Sequence, residues 1–260
     1  MTLQAPVRRS AAVLILGGWA FLHGQTSTPA AEPISTDRPS FANSSVVVPK
    51  GAFQAENGFQ ATHSQRQYSF DGPETSLRFG VADKTELRLF APNYFWDVPP
   101  ESSSGFGDLT IGVKRQLGPV RQFDVSVIVF LSLPSGSDAL SSHGYDPGVQ
   151  LAWSRKLSAK WTAAGQLAVY SPTQGNTRNV TGESTLLFDR QFTHSCDGFA
   201  EYVGDFPQHG GPRHLMHTGG VCKLSANHQI DVHAGVGLSS AAADHFIGIG
   251  YSFRFQAIRH

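Results

Sequence analysis

Residues 123–133 form a run in which every second side chain is apolar and the polar side chains all lie between them. The odd positions are all apolar, and the even positions include Asp124, Ser126 and Ser132. A run of about eleven residues with a wholly apolar face is long enough to cross a bilayer core as a tilted strand. The same alternation recurs at residues 230–238 and 245–255. A chain that repeats this pattern and lacks a long apolar helix is typical of a transmembrane β-barrel.

The composition narrows the classes that remain. The 260 residues include 20 basic and 20 acidic side chains, so the formal net charge is zero. A balanced chain without a basic run has no electrostatic footprint for nucleic acid, and we expect no nucleic-acid partner. A hydrophobic content of 40% is too low for a helical membrane protein. It suits a barrel, whose apolar residues occupy every second position.

The N-terminus has the features of an export signal. Arg8 and Arg9 precede an apolar stretch at residues 11–22 that is too short to span a membrane as a helix. We predict a signal peptide over residues 1–24, with cleavage as late as residue 31 as the alternative, and localisation to the bacterial outer membrane. Residues 32–50 contain three prolines, which disfavour regular structure, so we predict an extended periplasmic lead-in.

From residue 51 to residue 255 the chain divides into predicted strands joined alternately by short turns and longer polar loops. We place twelve strands at residues 51–63, 74–81, 85–94, 105–117, 123–133, 147–157, 161–170, 181–192, 197–206, 214–224, 230–238 and 245–255. This alternation predicts an all-β fold, a transmembrane antiparallel up-and-down barrel with periplasmic termini. A soluble sandwich or lipocalin-like barrel is the alternative, but strands near ten residues exceed the usual length of about five or six. Residues 256–260 form a C-terminal tail.

Several short motifs carry a family resemblance. They are the run Ser-Thr-Asp-Arg-Pro-Ser at residues 35–40, the run Gly-Asp-Leu-Thr-Ile-Gly-Val-Lys at 107–114, and Leu-Pro-Ser-Gly at 133–136. With these runs, the mature chain resembles a bacterial family described as "putative MetA pathway of phenol degradation". The resemblance implies an outer-membrane β-barrel of transporter-like character, and it is the source of the expectation that solutes are hydrophobic or aromatic.

Inward positions of the predicted barrel are polar and carry both signs of charge. The candidate lumen-lining residues are Arg78, Glu86, Arg88, Lys114, Asp124, Lys223, Asp231 and Arg254. Across the short turns they suggest three opposite-charge pairs that narrow the lumen: Arg78 with Glu86, Lys114 with Asp124, and Lys223 with Asp231. A twelve-stranded lumen is narrower than a porin's, so passage of a small solute and a nearly closed lumen both remain open.

Three arginines interrupt the lipid-facing pattern. Arg115, Arg155 and Arg190 each occupy an outward position two residues before the last apolar residue of a strand. All three strands run toward the short turns, so we predict an interfacial arginine ring at the periplasmic boundary, where the side chains reach lipid phosphates. A local bulge that turns one or more of them inward is the alternative.

Other chemistry has weaker support in the sequence. The chain has no Gly-x-Ser-x-Gly run, and Ser141-Ser142-His143 stands without an evident partner, so we expect no catalytic residues. His209, His214 and His217 lack the spacing of a metal site, and we expect solvated loop histidines, with no metal and no cofactor. Cys196 and Cys222 fall on one predicted hairpin, where a disulfide and two separate thiols are both open.

We therefore expect an outer-membrane channel for passive passage of small solutes. The alternatives are a structural barrel without transport activity and, with less support, a lipid-modifying enzyme. The expected partners are outer-membrane lipids, the barrel assembly machinery and a small-molecule solute whose identity the sequence leaves open, as it does the oligomeric state.

Overall fold

A computed structural model describes residues 32–65, 67–98 and 104–258, and the predicted signal peptide lies outside these ranges. Within them the chain is organised in strands: β1 Ala52–Ser64, β2 Gln67–Gly72, β3 Ser76–Ala82, β4 Thr85–Phe90, β5 Tyr94–Val98, β6 Gly105–Phe106, β7 Leu109–Val120, β8 Phe123–Leu133, β9 Asp146–Lys156, β10 Trp161–Tyr170, β11 Thr173–Gln174, β12 Thr177–Arg178, β13 Thr181–Gln191, β14 Cys196–Pro207, β15 Arg213–Ser225, β16 His228–Gly237 and β17 His245–Gln256. In the described part of the chain, no helix has the length and apolarity needed to span a membrane.

Twelve of these strands close into an antiparallel barrel, which confirms the predicted fold class. The order around the wall is β1, β3, β4, β7, β8, β9, β10, β13, β14, β15, β16 and β17, and β17 pairs with β1. That closing ladder runs from Ala52 opposite Gln256 to His63 opposite His245. Closure leaves no strand edge to face lipid with unpaired backbone groups.

Three neighbouring wall strands are interrupted at one height, which differs from the continuous strands predicted over residues 85–94 and 105–117. The short strands β2, β5 and β6 pair with one another beyond β3, β4 and β7. Pro73 and Pro92 lie in two of the gaps, and proline has no N–H to give to a ladder. Single backbone hydrogen bonds bridge the interruptions, from Ala91 N to Thr75 O at 2.9 Å and from Gly107 N to Asn93 O at 2.8 Å.

The two faces of the wall differ as the alternation predicts. Outward apolar side chains are open, with Val129 57% and Ile249 61% exposed, whereas the inward neighbour Ile128 is 1% exposed. A continuous exposed apolar belt is unusual in a soluble protein and is the surface that lipid covers in a membrane barrel.

Residues 32–50, hereafter the luminal segment, lie inside the barrel, and their prediction as a periplasmic lead-in is wrong in position. The segment is irregular, as its prolines predict, yet Ile34 and Val48 are each only 2% exposed. The wall leaves room for it at two glycines: an added Cβ would lie 2.2 Å from the Arg38 guanidinium carbon at Gly58, and 2.1 Å from Pro49 O at Gly80. Inward polar side chains supply the hydrogen bonds that an irregular backbone requires.

Candidate functional site

The luminal segment enters and leaves at the same end of the barrel. Near its start, Ile34 N donates to Ala226 O in the short β15–β16 turn at 2.8 Å. At its end, Lys50 forms an isolated parallel β-bridge with Gly80, close to the β3–β4 turn. Short turns mark the periplasmic end of outer-membrane barrels. The tip of the bend, residues 38–43, therefore reaches into the lumen from the periplasmic side.

One side of the lumen holds the segment with ion pairs. This charged wall consists of β1, β3, β4 and β7. The last three strands carry Arg78, Glu86, Arg88 and Lys114, every one with a fully buried side chain. Asp37 of the segment contacts three cations: Arg88 directly, Arg78 NH1 at 3.4 Å and Lys114 Nζ at 3.5 Å. Burial would raise the pKa of Asp37, but these three cations hold that pKa well below its usual range.

The carboxylates of the charged wall complete its pairing. Glu86 accepts from Arg78 Nε at 2.9 Å and from the segment's Val48 N at 2.7 Å. Glu56 of β1 accepts from Arg78 NH1 at 2.8 Å and from the backbone N–H groups of Asp37 and Arg38. Three cations thus meet three carboxylates, Asp37 included, so the buried cluster is electrically balanced, as buried charges must be.

The other side of the lumen holds the segment with hydrogen bonds. This hydrogen-bonding wall consists of β10, β14 and β15, and β14 lies six strands round the barrel from β4. Glu201 accepts from Phe41 N at 3.0 Å and from Ala42 N at 2.8 Å. Gln166 accepts from Asn43 Nδ2 at 2.7 Å. The tip is therefore held from both sides of the lumen.

A buried histidine chain stands behind Glu201. His217 Nδ1 lies 2.9 Å from the Glu201 carboxylate, and His217 Nε2 lies 3.0 Å from His233 Nδ1. Phe41 packs edge-on against His217 with ring centroids 5.1 Å apart. The expectation of a solvated loop histidine is thus wrong for His217, because β15 begins at Arg213 and alternation turns residue 217 inward.

Arg38 gives the tip a third attachment. Its guanidinium pairs with Glu74, which lies in the first interruption of the wall, and with Asp231 of β16 at 3.3 Å. Pro39 follows Arg38, and the segment turns at this point. The tip is therefore joined to the same region of the wall in which the ladder is bridged by single hydrogen bonds.

The lumen keeps open space on both sides of the tip. On the periplasmic side a cavity of about 610 Å³ is lined by the segment together with β9, β10 and β13–β16. On the extracellular side a cavity of about 350 Å³ lies between the tip and β1, β3, β4 and β7–β9. Arg38, Ser40 and Asn43 line both. A barrier a few residues thick separates the two spaces.

The structure places the predicted lumen residues on the inward face but brings together only one of the three predicted pairs. Arg78 and Glu86 meet, whereas Lys114 contacts Asp37 and Glu86 instead of Asp124. Lys223 lies 3.6 Å from Asp197. A bulge between Gln116 and Gly118 places Asp124 opposite Pro119. Asp231 lies opposite Val221. Arg254 donates a hydrogen bond to Asn227 Oδ1. The predicted pairs Lys114–Asp124 and Lys223–Asp231 do not form. The strand register separates Lys114 from Asp124, and the luminal segment supplies Asp37 to Lys114 and Arg38 to Asp231.

The three outward arginines point away from the lumen. Arg155 lies over the Phe123 ring at 5.3 Å and Arg190 over the Trp161 ring at 5.3 Å, while Arg115 donates to Thr85 Oγ1 at 2.6 Å. Each contact is made at the short-turn end of the barrel. These contacts are all within the protein. Contact of the three arginines with lipid phosphates at the membrane boundary stays a prediction.

Cys196 and Cys222 lie directly opposite one another on β14 and β15 and form a disulfide. The bond closes a loop of the chain at the short-turn end, 26 residues apart in sequence. It ties together two strands of which one carries Glu201 and the other His217, so it fixes the hairpin that presents the hydrogen-bonding wall.

Solved structures that share this architecture are outer-membrane barrels. The COG4313 outer membrane channel from Pseudomonas putida F1 is 15% identical, with a TM-score of 0.61, and the match covers 84% of this chain and 100% of that one. The NanC porin is 8% identical (TM-score 0.56, 77% of this chain and 98% of that one), and the KdgM porin 12% identical (TM-score 0.52, 78% and 99%). These neighbours are channels and porins, and the likeness shows the fold of an outer-membrane β-barrel, whose belt faces membrane lipid.

No curated protein matches the chain in sequence. The family described as "Putative MetA-pathway of phenol degradation" matches residues 36–255, which begin inside the luminal segment and end in β17. The match covers most of the chain, which therefore belongs to this family of outer-membrane β-barrels.

Proposed function

We propose that the protein is a passive outer-membrane channel for small solutes, closed in the present arrangement by the tip of the luminal segment. The observation that carries the proposal is the pair of cavities, of about 350 Å³ and 610 Å³, which lie on either side of the tip and share Arg38, Ser40 and Asn43 as lining residues. Passage requires displacement of this tip and leaves the barrel wall unchanged. Family membership supports hydrophobic or aromatic compounds as the solutes.

A channel accounts for the site better than an enzyme does. In the described part of the chain, the buried Glu201–His217–His233 chain already serves the luminal segment, because Glu201 accepts two of its backbone N–H groups. A hydrolase needs its base free to activate a nucleophile. The proposal includes the barrel assembly machinery as a partner, since β17 ends on alternating apolar residues up to Phe255.

Liposome swelling tests the proposal with a variant that lacks residues 36–47. We expect faster swelling than for the wild type, with small sugars and aromatic solutes, since the barrier is removed. A matched control pins the segment: in Ser45→Cys/Ser154→Cys the two replaced hydroxyl oxygens lie 2.7 Å apart, and the oxidised protein should stay closed. A folded deletion variant without solute passage would favour the structural barrel instead.

A further inference from the structure

The extracellular-side cavity combines aromatic walls with buried guanidinium groups. Its volume of about 350 Å³ lies at the small end of the range of ligand pockets, about 300–1,000 Å³. Phe41 of the tip, Phe90 of β4 and Phe130 of β8 line it, together with Ile128, Arg88 and Gln150. A rigid planar apolar group fits such walls, because aromatic rings pack face to edge against one another.

Arg88 brings unused hydrogen-bond donors to this cavity. The residue is only 3% exposed, and its guanidinium lies 5.0 Å over the Phe90 ring. One nitrogen donates to Asp37. Among the residues that the structure describes, Nε lies 3.6 Å from Glu86 without a hydrogen bond, and NH1 has no hydrogen-bond partner. Arg78 differs, since all three of its nitrogens donate hydrogen bonds. A buried donor without an acceptor is unfavourable, so Arg88 is suited to an incoming anion.

The acidic groups around the cavity are already engaged. Asp37 contacts three cations, Glu56 accepts four hydrogen bonds, and Glu74 pairs with Arg38. Asp231 Oδ2 lacks a hydrogen bond within the described part of the chain, but Asp231 is not among the lining residues. In the described residues that line the cavity, the unused hydrogen-bonding groups are guanidinium N–H donors and the Ser76 hydroxyl, all of which can donate to an anion, and this favours an anionic ligand over a cationic one.

We infer that this cavity binds aromatic carboxylates. The ligand carboxylate would accept from the free edge of Arg88, and its ring would lie among Phe41, Phe90 and Phe130. Arg38 Nε, which also has no hydrogen-bond partner in residues 32–65, 67–98 and 104–258, adds a second cationic donor at the tip. The inference rests on the proposed channel function and names the class of solute that the channel takes up before the tip is displaced.

Titration calorimetry on the full-length protein in detergent tests the inference with benzoate as the probe. We expect saturable benzoate binding that is at least about tenfold tighter than binding of benzyl alcohol, which lacks the charge, or acetate, which lacks the ring. Arg88→Gln should lose benzoate binding, and Phe130→Leu should weaken it about fivefold or more. Arg115→Gln, on the outer face of the barrel, should bind as the wild type does.

Several outcomes would overturn the inference: no saturable benzoate binding by the wild type, equal affinity for benzyl alcohol, or unchanged affinity in both lumen variants. Because Arg88 also pairs with Asp37, Phe130→Leu decides the matter where Arg88→Gln does not fold. Conductance in planar bilayers separates the two proposals. If the variant lacking residues 36–47 conducts but the wild type does not bind benzoate, the binding site is wrong and the channel function stands. If the wild type binds benzoate but the deletion variant does not conduct, the binding site stands and the channel function is wrong.

Discussion

The charged wall and the hydrogen-bonding wall hold the luminal segment from opposite sides by different physical means, the first mainly at Asp37 beside the tip and the second at the tip itself. At the charged wall three cations and three carboxylates, one of them Asp37, are buried together. At the hydrogen-bonding wall one carboxylate, Glu201, accepts two backbone N–H groups and one histidine. The difference lies in what one substitution leaves behind: an uncompensated buried charge on the first wall, and weakened hydrogen bonds on the second.

The largest effect is expected for Arg78→Met. The substitution removes the cation that joins Asp37, Glu56 and Glu86, and leaves three buried carboxylates with two cations. We expect a loss of about 3–5 kcal/mol in the free energy of unfolding, measured by urea titration in lipid vesicles. Arg178→Met is the matched control. The Arg178 side chain, which pairs with Asp146, is 47% exposed, so the loss of this ion pair should cost about 0–1 kcal/mol. Equal losses in both variants would contradict the role assigned to burial.

Asp37→Asn breaks the same wall from the side of the segment. Asparagine keeps the shape but removes the charge on which three cations converge. We expect docking of the segment to weaken by about 2–3 kcal/mol, or roughly 30- to 150-fold in the labelling rate of a Ser45→Cys reporter by a polar thiol reagent. Asp124→Asn, at an inward carboxylate opposite Pro119, is the control and should leave labelling unchanged.

The pKa of Asp37 predicts how this wall responds to acid. Because the docked carboxyl has a pKa below its ordinary value of 3.8, its contribution is complete above that value and is lost as the pH falls through the lowered one. Planar-bilayer conductance of the wild type should therefore stay constant from pH 7 down to about 5. A steep change within that interval would mean that a group other than Asp37 controls docking.

Glu201→Gln should have a smaller effect than Asp37→Asn. The amide oxygen still accepts from the Phe41 and Ala42 N–H groups, which are 3.0 and 2.8 Å away, but these bonds lose their charge assistance. We expect docking to weaken by about 1–2 kcal/mol, with a roughly 5- to 30-fold rise in labelling of the Ser45→Cys reporter. Asp205→Asn is the matched control, since Asp205 lies on the same strand as Glu201 and pairs with Arg213 at 3.0 Å. A larger effect at Glu201 than at Asp37 would reverse the comparison between the walls.

The fold could be predicted from the sequence because alternation is a local signal. The predicted spans for β8 and β10 match the structure, and most others differ by one or two residues. The interrupted strands were harder to foresee, since Pro73 and Pro92 interrupt a ladder without changing which faces are apolar. Register was also hidden, because the bulge beside Gly118 depends on turn geometry that alternation does not report.

The luminal segment could not be located from its own sequence. Its prolines and serines suit an exposed linker as well as a buried irregular strand. The available signal was elsewhere, in the inward charges of the wall: Arg78, Arg88 and Lys114 exceed Glu56 and Glu86 by one. Buried charges require compensation, and the missing anion is Asp37, in the same short run that carries the family resemblance. Charge balance over these neighbouring strands, rather than pairing across single turns, would have indicated that an anion from elsewhere in the chain completes the cluster.

The smallest effect is expected on the outer face of the charged wall itself. Lys114 and Arg115 are neighbours on β7, yet Lys114 is fully buried in the ion-paired cluster whereas Arg115 is exposed and donates to Thr85 Oγ1. Lys114→Gln should cost about 1–3 kcal/mol of unfolding free energy, less than Arg78→Met, because the lysine Nζ lies 3.5 Å from Asp37 and 3.9 Å from Glu86 and pairs with them only by charge. Arg115→Gln should cost only about 0–1 kcal/mol, as expected for an arginine near the membrane boundary whose guanidinium reaches water and lipid phosphates. Urea titration of the two variants in the same vesicles compares adjacent positions of one strand at one lipid composition. Comparable costs at both positions would mean that Arg115 lies deeper in the bilayer than the proposed arginine ring allows.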